Sequence, residues 1–228
     1  YLWRAHPAIG LTMLPIALVM AQPDLGTSMI YLLTAATVIA MTKIRRRSLL
    51  TLGALGAIIV PLSWKYLLRD YQKDRITSFL DPEADKTGTG WHAFQSKTAI
   101  GNGGLTGEGF MQGTQNQFGF LPDQHSDFPF AVFAEDWGFL ECLLLLAVYC
   151  FICIWAVHVA SQSKDRFGAA VAIGVGAMVF WHAIFNVGMA LGLFPVVGIT
   201  LPLFSYGGSS VATILIGLRL LMNVSMRR

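Results

Sequence analysis

Charged residues are scarce in this sequence. Of its 228 residues only 13% are Asp, Glu, Lys or Arg, whereas 54% are hydrophobic. A typical soluble domain is about one quarter charged. The stretch from Phe167 to Leu218 contains none of these four residue types, as is typical of a chain that crosses a lipid bilayer. The composition therefore excludes an ordinary soluble protein.

Cysteine and surplus basic charge are also nearly lacking. The three cysteines, Cys142, Cys150 and Cys153, fall in one apolar run without a histidine partner, so we expect small apolar side chains rather than zinc or redox ligands. A net charge of +3 with scattered basic residues excludes nucleic acid as a partner. The sequence opens on Tyr1 rather than Met, which predicts a start inside a longer protein.

Six apolar runs predict an all-α, polytopic membrane protein with about six transmembrane helices. Four runs approach or fall somewhat short of the roughly 20 residues that span a bilayer, and the fourth and fifth along the chain exceed that length. Basic residues at 43–47, 164–166 and 227–228 mark the cytoplasmic side by the positive-inside rule. We treat 1–228 as a single membrane domain. The runs occupy 7–21, 25–42, 49–64, 128–160, 168–193 and 207–224.

The long segment 65–127 is predicted to be a large ordered loop on the outer face. Its interspersed apolar residues, such as Phe79 and Leu105, give it something to bury. Arg75 and Lys97 lie on the side where the positive-inside rule does not place basic residues. They indicate an anionic phosphate or diphosphate headgroup as ligand, and a solvated face balanced by the acidic residues of the loop is the alternative.

A re-entrant segment is predicted between the last two helices. The stretch from Leu193 to Pro202 is apolar but contains Pro195 and Pro202, and Ser205 begins a run of small and polar residues. Irregular backbone at membrane depth is tolerated only where it lines a cavity or is buried in protein. This segment is therefore a candidate part of the functional site.

Acidic residues at the membrane margin are candidate functional groups because ionisable residues are costly there. Asp127 stands where the loop re-enters the membrane, beside His125, and capping a helix that starts near Pro129 is its structural alternative. Glu135 follows within that helix, where partial burial would suit acid–base work, and an ion pair with an Arg or Lys of the loop is its alternative. Asp24, two residues after Gln22, either caps the next helix or belongs to the site.

His182 and Asn186 share one face of the fifth predicted helix because they are four residues apart. Two interpretations stay open for this pair. The side chains either line a cavity or join neighbouring helices through hydrogen bonds.

Six motifs in order along the chain resemble the SEDS family of cell-wall proteins (RodA, FtsW and SpoVE), and most closely its RodA branch. They are Gln-Pro-Asp-Leu-Gly-Thr from Gln22, Ser-Phe-Leu-Asp-Pro from Ser78, Ala-Ile-Gly-Asn-Gly-Gly-Leu-Thr-Gly-Glu-Gly from Ala99, Gly-Thr-Gln-Asn from Gly113, Leu-Pro-Asp-Gln-His-Ser-Asp-Phe from Leu121, and Leu-Pro-Leu-Phe-Ser-Tyr-Gly-Gly-Ser-Ser from Leu201.

The resemblance implies a peptidoglycan glycosyltransferase of about ten helices, of which this chain would be the C-terminal six. Such a protein polymerises lipid II into glycan strands on the outer face of the bacterial inner membrane during cell elongation. It works with a class B penicillin-binding protein and other elongation-complex membrane proteins. The catalytic carboxylate of the family falls on Asp127.

From the residues and the resemblance together we predict a site. Asp127 and Glu135 are the expected catalytic residues. A divalent metal ion, Mg²⁺ or Mn²⁺, is the expected cofactor because a diphosphate leaving group needs its charge stabilised. The expected substrate-binding residues are Gln22, Asp24, Arg75, Lys97, Gln115, His125, Asn186 and Ser205.

Two rival functions remain from the sequence. The broken segment and the acids at the membrane margin are also usual in transporters, so a lipid II flippase is one alternative. A non-enzymatic scaffold of the elongation machinery is the other.

Overall fold

The computed structural model describes residues 6–22, 24–41, 68–81, 88–121 and 124–227. These residues form eight α-helices, in agreement with the predicted all-α class. In chain order they are α1 (His6–Ala21), α2 (Leu25–Met41), α3 (Asp70–Leu80), α4 (Thr89–Asn102), α5 (Thr114–Gln117), α6 (Pro129–Ser161), α7 (Arg166–Ala190) and α8 (Gly208–Met226).

Three of these helices, α6, α7 and α8, are long and apolar enough to cross a membrane. The apolar part of α1, Gly10–Ala21, is shorter, and so is α2, Leu25–Met41. Many apolar side chains of α6, including Leu144, Phe151 and Ile154, are exposed on the protein surface, as expected for a face in contact with lipid. The chain is an all-helical, multi-pass membrane protein. The predicted run at 49–64 lies outside the described residues.

Small residues bring the two longest helices together. A side chain at Gly176 of α7 would come within 2.7 Å of the Ala156 methyl group on α6, so glycine is required for this close approach. On the other side of α7, the Trp181 indole donates to the Thr37 hydroxyl of α2 at 2.9 Å. The helix α7 therefore packs between α2 and α6.

The described part of the predicted outer loop is ordered into helices α3, α4 and α5. Helix α4 docks on the end of α7, where the fully buried Ser96 hydroxyl donates to the Ala190 carbonyl at 2.8 Å. Helix α7 ends there, and the apolar run to residue 193 continues as a turn with Gly192 at φ +68°. The predicted helix 168–193 is thus three residues too long at this end.

Helix α6 is interrupted at Gly138, whose φ of 83° and ψ of −172° are not helical. Segment 104–109 of the loop inserts into this break. The Phe139 and Leu140 amides donate to the Gly104 and Leu105 carbonyls at 3.0 and 3.3 Å. In return the Glu108 and Gly109 amides donate to the Glu135 and Asp136 carbonyls, both at 3.0 Å. The loop therefore replaces hydrogen bonds that the helix loses at its break.

Glycine is needed on both sides of this insertion. A side chain at Gly107 would come within 2.2 Å of the Asp136 carbonyl oxygen, and one at Gly138 within 2.3 Å of the Gly107 nitrogen. Both residues also have positive φ angles, 76° and 83°, which other residues rarely adopt. The glycines therefore allow the backbone of segment 104–109 to lie directly against α6. Several amides of the segment donate hydrogen bonds to this helix.

Candidate active site

The segment between α7 and α8 is non-helical, and its middle part is buried in the protein. Val196, Ile199 and Leu201 are among its buried residues. The Tyr149 hydroxyl of α6 donates to the Pro202 carbonyl at 2.6 Å. This bond satisfies both a carbonyl that has no helical partner and a buried phenol. We refer to residues 191–207 as the broken segment.

Ser205 shapes the far end of the broken segment. Its hydroxyl accepts the Leu201 amide at 2.7 Å, and its own amide donates to the Leu201 carbonyl at 3.0 Å. The next amide, that of Tyr206, donates to the His125 carbonyl at 2.8 Å. The broken segment is thereby attached to the turn at 124–127 that precedes α6.

Asp127 is the last residue of that turn. The N-cap of α6 is Phe128, whose side chain makes no capping hydrogen bond, so Asp127 lies one residue before the capping position. Phe128 is fully buried and anchors the turn, whereas Asp127 is only partly buried. The Oδ2 atom of Asp127 lies 3.6 Å from the position that a Cβ atom would occupy on Gly198. Its carboxylate therefore faces the backbone of the broken segment.

Asn186 of α7 joins these two segments. Its side-chain amide donates to the Asp127 carbonyl at 2.8 Å and to the Ile199 carbonyl at 2.7 Å. The residue is fully buried. His182, four residues earlier, instead has its Nδ1 atom 2.8 Å from the Met178 carbonyl of its own helix. Of the two polar residues on this face, Asn186 is the one that makes these contacts with the site.

Glu135 has different neighbours. Its buried carboxylate accepts the Gln115 amide at 2.9 Å and contacts the Thr114 hydroxyl at 3.4 Å. A side chain at Gly113 would come within 2.5 Å of this carboxylate. Glu135 and the backbone of Gln115 therefore fasten α5 to α6, and the catalytic and binding roles predicted for these two residues stay predictions.

A groove of about 920 Å³ opens between the beginnings of α6 and α8. Its walls are mostly apolar and aromatic, including Phe133, Trp137 and Tyr206. Polar groups of His125, Ser205 and Asp136 are also part of its lining. The groove brings together two of the predicted binding residues, His125 and Ser205, and is lined by the first part of the turn but not by Asp127.

The remaining predicted binding residues lie around the broken segment or away from it. Asp24 accepts the Thr27 amide at 3.0 Å and so caps α2, whose Gly26 directly abuts the Val197 carbonyl. Exposed Lys97 of α4 lies against Gly192, where the broken segment begins.

Two predicted binding residues, Gln22 and Arg75, have other neighbours. Gln22 is exposed, and its backbone amide donates to the Val19 carbonyl at 3.0 Å. Arg75 is partly buried on α3, with its guanidinium 5.9 Å from the centroid of the Tyr71 ring. Both roles stay predictions.

Tyr149 and Gly198 are site residues that the sequence analysis did not identify. Tyr149 stands in an apolar run, where the only signal is that a buried tyrosine needs a partner for its hydroxyl. Gly198 has φ +75°, and its position between two prolines in an apolar segment is the corresponding signal.

Among residues 6–22, 24–41, 68–81, 88–121 and 124–227, no group of three His, Cys, Asp or Glu side chains could hold a metal. These residues do not fit a metal centre held by the protein alone. We derive no catalytic step through a metal.

This arrangement of membrane helices, broken segment and inserted loop belongs to a known class of membrane proteins. The chain is a member of the family described as "Cell cycle protein", which unites FtsW, RodA and SpoVE, and whose model matches residues 1–228.

Individual relatives narrow the comparison. Peptidoglycan glycosyltransferase MrdB of Escherichia coli K12 is 41% identical over 221 residues, which cover 97% of this chain and 60% of the relative. Peptidoglycan glycosyltransferase RodA of Treponema pallidum is 40% identical over 162 residues, or 71% of this chain and 37% of that protein. The chain thus spans about 60% of the MrdB relative's length.

Two solved structures share the fold. A chain from "Structural coordination of polymerization and crosslinking by a peptidoglycan synthase complex" superposes with a TM-score of 0.79 at 33% identity, covering 97% of this chain and 61% of that one. The rod shape determining protein RodA of Thermus thermophilus superposes with a TM-score of 0.62 at 28% identity, covering 98% and 56%.

Proposed function

We propose that this chain is the part of a peptidoglycan glycosyltransferase that holds the catalytic carboxylate. The activity is the polymerisation of lipid II into glycan strands during cell elongation. The observation that carries this proposal is Asp127, whose backbone is bound by a buried amide and whose carboxylate faces the broken segment. Relatives named as peptidoglycan glycosyltransferases support it.

The proposed topology has six membrane helices in the bacterial inner membrane. Helices α1, α2, α6, α7 and α8 supply five, and the apolar run at 49–64 supplies the sixth. The basic segments then lie in the cytoplasm, and the loop 65–127 lies on the outer face. The turn carrying Asp127 consequently meets substrates at the outer surface of the membrane.

In the proposed mechanism Asp127 is the general base. Its carboxylate takes the proton from the attacking hydroxyl of the acceptor sugar. The hydroxyl oxygen forms a bond to the anomeric carbon of the donor, while the bond from that carbon to the diphosphate breaks. Undecaprenyl diphosphate leaves with the electron pair. The half-buried position of Asp127 fits this role because the carboxylate remains accessible to substrate.

Binding of the lipid-linked substrates is assigned to the surfaces around Asp127. The groove between α6 and α8 offers aromatic and aliphatic walls with His125 at one side, as suits a ligand with both a lipid and a sugar part. Lys97 and Arg75 provide positive charge for the diphosphate. A divalent ion that arrives with the diphosphate is part of this proposal.

The proposed partners are a class B penicillin-binding protein and other membrane proteins of the elongation machinery. Support comes from the structural relative, which belongs to a peptidoglycan synthase complex of polymerisation and crosslinking. An enzyme that makes glycan strands and one that crosslinks them act on the same polymer, which favours their association.

The test is lipid II polymerisation by the full-length protein together with its penicillin-binding protein, whose transpeptidase is blocked. We expect Asp127→Asn to reduce polymer formation at least 100-fold, since removal of a general base loses about 10²- to 10⁴-fold. The matched control is Asp165→Asn. Asp165 caps the start of α7, at the end of that helix away from the broken segment. Equal polymer from Asp127→Asn and wild type would refute the assignment and favour a flippase or a scaffold.

A further inference from the structure

We infer that Asn186 is a positioning residue for Asp127 and acts on catalysis through it. This inference rests on the proposed function of Asp127 and extends it. The two N–H groups of one side-chain amide are used for carbonyls of two separate segments, at 2.8 Å to Asp127 and 2.7 Å to Ile199. One buried side chain thus fixes the backbone of the base and that of the broken segment relative to each other.

The hydrogen bond to the Ile199 carbonyl matters because Gly198 comes directly before Ile199. Gly198 is the residue whose backbone faces the Asp127 carboxylate, with 3.6 Å between Oδ2 and the position of a Cβ atom on Gly198. By holding Ile199, the Asn186 amide holds the surface against which the carboxylate lies. By holding the Asp127 carbonyl, it also positions the backbone from which the Asp127 side chain extends.

A direct contact of Asn186 with substrate does not fit these observations. The residue is fully buried, and its amide N–H groups are occupied by the two carbonyls. Within the described part of the chain its Oδ1 atom has no hydrogen-bond donor, but this atom is itself buried. On this inference Asn186 orients the base rather than the substrate.

Asn186→Leu is the sharpest test because leucine has nearly the shape of asparagine and replaces the buried Oδ1 by an apolar group. It removes both bonds without opening a cavity. The matched control is Ser96→Ala, which removes another buried side-chain bond to a backbone carbonyl, between α4 and Ala190, that touches neither Asp127 nor Ile199. Both variants are made in the full-length protein, and activity is normalised to folded, monodisperse protein.

We expect Asn186→Leu to lower kcat for lipid II polymerisation about 10- to 100-fold with KM changed less than twofold, because a small displacement of a catalytic group costs about this much. Ser96→Ala should keep kcat within threefold of wild type. Amide hydrogen exchange should accelerate in peptides covering 124–128 and 196–201 in Asn186→Leu only.

Other outcomes overturn the inference. A higher KM with unchanged kcat would make Asn186 a substrate-binding residue, and an unchanged kcat would make it irrelevant to the base. If Asn186→Leu and Asn186→Ala both fail to accumulate while Ser96→Ala accumulates, Asn186 is a structural residue. The proposed function is tested separately: if Asp127→Asn retains wild-type activity, the general base fails whatever Asn186 does.

Discussion

At the scale of single residues, Asp127 and Glu135 show how two carboxylates near the start of one helix acquire different surroundings. Both were predicted as catalytic from the sequence. Asp127 is partly exposed in the turn before α6, whereas Glu135 is fully buried and accepts the Gln115 amide. A carboxylate bound to the backbone of a neighbouring segment is well suited to hold that segment.

We therefore expect Glu135→Ala to reduce the stability of the protein in detergent by about 1–3 kcal/mol, the cost of leaving a buried amide without its acceptor. Glu135→Gln keeps an acceptor oxygen and should lose less. Thermal unfolding and polymerisation per folded molecule are the measurements. If Glu135→Gln unfolds like wild type but no longer polymerises lipid II, Glu135 is catalytic after all.

At the scale of elements, the break in α6 is the feature that departs furthest from the sequence pattern. The apolar run 128–160 predicts one continuous helix, and its ends agree with α6 to within one residue. Hydropathy cannot reveal the break, because the bonds that replace the helical ones come from residues 104–109, remote in sequence. Gly107 and Gly138 are visible in the sequence, but only the folded structure shows that they lie against each other.

Gly138→Ala should displace the inserted loop. The substitution forces a side chain into a backbone conformation that is essentially restricted to glycine, which costs about 1–3 kcal/mol, and brings it within 2.3 Å of the Gly107 nitrogen. We expect a lower unfolding temperature and faster amide exchange in peptides covering 103–109. Gly101→Ala is the control, because Gly101 lies in α4 with open space around it. Equal stability of the two variants would show that the insertion contributes little.

At the scale of the whole molecule, the sequence predicted the class of fold, five of the apolar helices and the position of Asp127 between the loop and α6. Charge scarcity and run length decide where a chain enters a bilayer, so these predictions depend on local composition. The connection between Asn186 and Asp127 depends on tertiary packing. Sequence spacing showed only that His182 and Asn186 share a helix face and left the partner of each open.

Metal dependence stays a prediction for the complete enzyme with its substrate. Within the residues that the structure describes, no cluster of three His, Cys, Asp or Glu side chains could hold an ion. We therefore expect EDTA to abolish polymerisation without lowering the unfolding temperature, and Mg²⁺ or Mn²⁺ to restore activity. Undiminished polymerisation in excess EDTA would contradict metal dependence, and a large loss of stability would indicate an ion bound by the protein itself.

The insertion of residues 104–109 into α6 also determines which mutations this loop tolerates. Its four bonds to the helix join backbone atoms only, so the identity of Leu105, Thr106 or Glu108 has little effect on them. A deletion or insertion of one residue, by contrast, would move every donor and acceptor out of alignment at once. The side chains at 105, 106 and 108 are therefore free to change, whereas Gly107 and the length of the loop are not.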